Sequence, residues 1–129
     1  MASPLVELMQ APDSNALGLL MAEGVRFHSP VADYEGRADV AHLLLLIADV
    51  VRDIEPSREF DAEATKVTFI SGLVEERPVQ GVIEERYDDR GRLAEATLML
   101  RPLATLRMAV AAMAAALEVK PLPSTTQER

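Results

Sequence analysis

The chain has 129 residues, a length that suits one domain able to bury a core without metals or disulfides. It contains no cysteine, which removes thiolate nucleophiles, disulfide frameworks and cysteine–zinc sites, and a cytoplasmic location is the expectation. Its 13 basic and 21 acidic residues leave a net charge of −8, the wrong sign for ion pairing along a nucleic-acid backbone, and the longest apolar stretch, Met108 to Leu117, falls far short of the roughly 20 residues of a membrane span.

Ser3-Pro4 joins an N-cap residue to proline at the first helical position and predicts a helix over Leu5 to Gln10, broken by Ala11-Pro12. Asp13 or Ser14 can cap a second short helix to about Met21, after which Gly24 permits a turn. Val25-Arg26-Phe27-His28-Ser29 alternates apolar with polar as a half-buried strand does, and Pro30 ends it. A loop runs through Tyr34 to Gly36. Val40, Leu43, Leu44, Ile47, Val51 and Ile54 then recur at helical spacing, which predicts one long helix ending at Pro56.

From Arg58 the pattern is that of strands, at about 58–63, 66–74, 79–87 and 93–101. Glu75-Glu76 and Asp88-Asp89 fall in turns, and Asp88-Asp89-Arg90-Gly91 is the clearest hairpin signal. Pro102 opens a last helix whose Leu103, Leu106, Val110, Met113 and Leu117 form an apolar stripe, read as core or dimer contact with a lid over a pocket as the alternative. Residues 1–120 thus form a single domain, and 121–129, with two prolines and a run of polar residues, reads as a disordered tail.

The order of elements, together with Phe27-His28-Ser29-Pro30, Gly36-Arg37 and Tyr87-Asp88-Asp89-Arg90-Gly91-Arg92-Leu93, resembles the nuclear transport factor 2-like superfamily and, within it, the SnoaL-like family. Thr97-Leu98-Met99-Leu100-Arg101-Pro102-Leu103 is similar to an uncharacterised subgroup of the latter. The resemblance implies an α+β fold, a cone-shaped barrel in which a bent antiparallel sheet wraps around a long helix, with N-terminal helices and an additional C-terminal helix. It also implies a pocket between helix and sheet, and a homodimer packed through the outer sheet face.

Strand parity puts Val25, Phe27 and Ser29 on one face, Ile83, Glu85 and Tyr87 on one face, and Ala96, Leu98 and Leu100 on one face. The resemblance makes these the pocket side, so the expected ligand contacts are Phe27, Ser29, Leu43, Ile47, Ile83, Tyr87, Ala96, Leu98 and Leu100. His28, Val82, Thr97, Met99 and Arg101 face outward.

The resemblance also locates the positions where family enzymes carry their catalytic groups. Ser29 stands where the isomerases hold their general base, Ile83 where they hold an oxyanion-hole acid, and Leu98 where polyketide cyclases hold an aspartate. None of the three can do that work unaided, so isomerisation of a Δ5-ketosteroid is not expected. The remaining catalytic candidates are Glu85, a carboxylate among aliphatic neighbours, and Tyr34 at the pocket mouth. His28 reads as a surface or interface residue, His42 as structural, and Arg101 as an ion-pair partner of Glu95 or of another chain. No cofactor is implied, and two distant histidines suggest no metal site.

Three readings follow. The chain binds a small, largely apolar organic molecule; or it is an isomerase, dehydratase or hydrolase using Glu85 as a lone acid–base; or it is a dimeric interaction module with a vestigial pocket.

Overall fold

A computed structural model describes residues 2–127. The first two helices start at their capping side chains. The Ser3 hydroxyl accepts the Val6 N–H at 3.0 Å ahead of α1 (Pro4–Gln10), and the Asp13 carboxylate accepts from Asn15 and Ala16 ahead of α2 (Ser14–Leu20). Leu5, Val6 and Met9 of α1 are buried.

β1 (Met21–His28) begins earlier than the alternation predicts, and Gly24 lies inside it rather than at a turn. Its register against β6 shifts between Met21 and Arg26, an irregularity that masks the period-two pattern there. The expected loop that follows contains a short strand, β2 (Asp33–Glu35), which pairs with β1 so that Tyr34 lies opposite Phe27.

Gly36, at φ 100°, precedes α3 (Arg37–Val50), which buries Val40, Leu43, Leu44, Leu46 and Ile47. The helix is shorter than its apolar spacing suggests. Val51 caps it and Ile54 belongs to β3 (Arg52–Ala62), yet both stay buried, so the inward period continues after the helix has stopped. Pro56 therefore ends no helix. It sits in β3, the edge strand, at a register shift, where a missing N–H is tolerated.

β4 (Thr65–Val74), β5 (Arg77–Tyr87) and β6 (Leu93–Arg101) match the expected strands closely. The six strands form one sheet in the order β2-β1-β6-β5-β4-β3. All neighbours are antiparallel, as the bent antiparallel sheet leads one to expect, except β1 and β6, which run parallel. The Asp88 carboxylate accepts the Arg90 and Arg92 N–H groups at 2.9 Å and Gly91 takes φ 76°, as the hairpin signal predicts.

After Pro102 comes α4 (Leu103–Val119), with Thr105 and Ala109 its buried residues. The tail expected from Pro121 onward is partly structured instead: α5 (Pro123–Gln127) follows, and Ser124 donates from its N–H and hydroxyl to Asp39 at 2.9 and 2.6 Å. Leu122 packs against the core, which supplies the apolar anchor that the polar run after it lacks. Residues 128 and 129 of that expectation lie outside the described residues.

Candidate functional site

The sheet's inner face divides into two halves with different environments. Towards one end, α1 closes the interior, and Phe27, Ile83 and Ala96 are core residues at 1–2 % exposure. Towards the other, a cavity of about 170 Å³ remains beneath α4. Leu43 and Ile47 of α3 and Leu98 and Leu100 of β6 line it, joined by Ser29 and Tyr34. α4 contributes Ala109, Val110 and Met113, so the last helix covers the pocket; this is the role read above as the alternative to core or dimer contact. Val31, at the lining and 64 % exposed, marks where the cavity reaches the surface.

Six of the expected pocket residues are thus brought together: Ser29, Tyr34, Leu43, Ile47, Leu98 and Leu100. Phe27, Ile83, Ala96, Tyr87 and Glu85 do not line it. Parity places a side chain on the inner face correctly. It cannot tell an inner face under a helix from one under a void.

Glu85 is fully buried, and its carboxylate holds the start of α1. The Ser3 hydroxyl donates to Oε2 at 2.5 Å, the Tyr87 hydroxyl donates to Oε1, and the Leu5 N–H also donates to the carboxylate. Burial pushes the Glu85 carboxyl above its ordinary value, opposed by the Ser3 and Tyr87 hydrogen bonds, then the Leu5 bond and the charge of Lys66. Lys66 lies directly opposite Glu85 in the β4–β5 register and pairs with Asp61 at 2.7 Å, so the nearest cation is a cross-strand neighbour. Burial and the Glu85 carboxylate push the Tyr87 phenol far up. With both oxygens bonded and α1 above them, Glu85 and Tyr87 clasp α1 to the sheet; Glu85, expected as an acid–base, lies away from the cavity, and Tyr34 is not among its bonded partners.

Ser29 has no free hydroxyl. It donates to the Ala32 carbonyl at 3.0 Å and accepts the Val31 and Ala32 N–H groups at 3.2 and 3.1 Å, which shapes the turn into β2. Among the described residues, no hydrogen bond engages the Tyr34 hydroxyl within the chain. Among the described residues, no ionisable side chain other than this phenol lines the cavity.

The outward residues form a separate network. His28 bridges Asp33 at 2.8 Å and Glu95 at 2.6 Å, and Arg26 joins Glu95 at 3.2 Å. The Asp33 and Glu95 hydrogen bonds raise the His28 pKa, while the His28 bond holds the Glu95 carboxyl low. Arg101 pairs with Gln80 at 2.5 Å instead of Glu95, which is already taken. The His42 ring nitrogen donates to the Lys120 carbonyl at 2.8 Å, in keeping with a structural histidine. Among the described residues, no three His, Asp or Glu side chains are grouped to hold a metal ion, and no helix is long and apolar enough to cross a membrane.

An uncharacterised protein with a cystatin-like fold from Silicibacter pomeroyi DSS-3 superposes with a TM-score of 0.85 over 89 % of this chain and 83 % of that one, at 23 % identity. A nuclear transport factor 2-like protein of unknown function from Mesorhizobium loti does so with a TM-score of 0.67, covering 75 % and 84 % of the two chains at 25 % identity. This chain has the nuclear transport factor 2-like fold. A steroid delta-isomerase from Pseudomonas aeruginosa shares that fold at a TM-score of 0.83 and 27 % identity, covering 88 % of this chain and 86 % of that one. No protein-family model and no curated protein matches the chain. Ser29, Ile83 and Leu98, which the resemblance sets at catalytic positions, are in this chain a turn serine, a core isoleucine and an apolar cavity residue.

The apolar stripe of α4 already names Leu106, Val110, Met113 and Leu117; what sequence reasoning missed in α4 is Ala109 and Ala114. Ala109, Val110 and Met113 sit at spacings of three and four, which shows an inward stripe but not which cavity it covers.

Proposed function

We propose that the chain is a SnoaL-like binding protein that holds a small, largely apolar organic molecule beneath α4. One observation carries this reading: among the described residues the cavity has largely aliphatic walls, with one phenol, and no carboxylate, imidazole or amine to move a proton. The enzyme reading loses its base because Glu85 is sealed under α1. Filling the cavity tests the proposal. Ala109→Leu is expected to raise stability by about 1 kcal/mol and to abolish uptake of benzene, read as a saturable shift of the Met113 methyl resonance. Uptake that persists in the variant places the bound molecule elsewhere.

The outer sheet face favours a second, compatible reading, a homodimer. Phe60 and Met99 are 53 % and 63 % exposed there, Val82 lies beside Met99 in register, and Arg86 pairs with Glu84 at 3.5 Å nearby. Met99→Lys is expected to shift the sedimenting species from dimer to monomer. A wild-type chain that sediments only as monomer at micromolar concentration removes this reading.

A further inference from the structure

We infer that the cavity's ligand is a neutral molecule about the size of a single ring, carrying one oxygen that accepts a hydrogen bond from the Tyr34 hydroxyl. This deepens the binding reading above and rests on it.

Size sets the first limit. A cavity of about 170 Å³ is close to the ~150 Å³ engineered cavity that stays dry and takes benzene, and it lies below the ~300 Å³ lower end of drug-sized pockets. One ring fits that space; a fused multi-ring skeleton does not. Charge sets the second limit. Among the described residues no lining side chain carries a charge, so an ionised ligand would lose its hydration with nothing to replace it.

The polar inventory sets the third. Among the described residues only Ser29 and Tyr34 bring polar side chains to the lining, and the Ser29 hydroxyl is consumed by its turn. Tyr34 is half-buried, packed against the core and opposite inward-facing Phe27, with its hydroxyl free of any partner in the described chain. The Tyr34 hydroxyl is open to solvent, so donating to a ligand oxygen exchanges a bond to water for one to the ligand, a modest net gain, and among the described residues no second donor competes. The site therefore distinguishes a small cyclic ketone or ether from the corresponding hydrocarbon.

A matched series of cyclohexanone, methylcyclohexane, cyclohexanecarboxylate and a two-ring ketone, 2-decalone, tests each limit through the Met113 methyl resonance. Cyclohexanone is expected to bind, the carboxylate to give no saturable shift, and 2-decalone to bind more weakly. Tyr34→Phe is expected to weaken cyclohexanone about tenfold and leave methylcyclohexane unchanged, which also reports that the variant is folded. If neither neutral one-ring probe moves Met113, the binding reading itself fails. If both bind but Tyr34→Phe affects them alike, or if the carboxylate or 2-decalone binds as well as cyclohexanone, the binding reading stands and this inference is overturned.

Discussion

Glu85→Ala is expected to destabilise the chain by about 3–5 kcal/mol, the range for a large-to-small change in a buried site that also strands buried donors. The substitution strips the acceptor from the Ser3 and Tyr87 hydroxyls and the Leu5 N–H and leaves a void in a fully buried site. The damage should be directional. Amide exchange of Leu5 to Met9 in α1 should accelerate more than that of β5, because the carboxylate is what ties the helix to the sheet. A loss below about 1 kcal/mol would show that the apolar contacts of Leu5, Val6 and Met9 hold α1 without the clasp.

Glu85→Gln separates charge from shape. Because burial raises the folded carboxyl above its ordinary value of 4.5, this group's favourable contribution is fully present below that value and is lost as pH rises through the raised one. The glutamine has no such dependence. Relative to wild type, the variant should therefore be least favourable in acid and improve, to neutral or stabilising, as pH rises to neutrality. Asp61, Asp88 and Glu95 have lowered values and act in the opposite direction, but they are common to both proteins and cancel in the difference. Parallel thermal melts across pH read this directly; parallel profiles for the two proteins would mean that Glu85 does not titrate abnormally.

Replacing Glu75-Glu76 by Asn-Gly is expected to stabilise the chain by about 2 kcal/mol. Val74 pairs with Arg77, so the β4–β5 hairpin turns on two residues, and both take positive φ, 50° and 71°. That geometry suits the twist of a hairpin but presses a glutamate Cβ against its own backbone at each position. Asparagine tolerates the left-handed region and glycine enters it freely. Chemical denaturation should show a higher midpoint with an unchanged slope. An unchanged midpoint would mean that the turn stores no strain.

Much of the fold was legible locally. The Ser3 and Asp13 caps, the Asp88 to Gly91 turn and the parity of β5 and β6 each depend on residues within a few positions of one another. The net charge of −8 and the absence of cysteine were likewise readable without a structure. Where α3 ended was not legible, because Val51 and Ile54 stay buried after the backbone has become extended. The site divides in the same way. Sequence placed Glu85, Ile83, Leu98 and Leu100 on the inner face, but only the tertiary structure decided which of them meet a cavity. That decision was made by how two helices pack on the sheet: α1, whose Ser3 lies 82 residues from Glu85, fills one half of the interior, and α4, which follows β6 directly, roofs the other at a distance that leaves about 170 Å³ unfilled. Periodicity records which way a side chain faces. What it faces depends on how closely separately folded elements pack, a property of volumes that no local pattern carries.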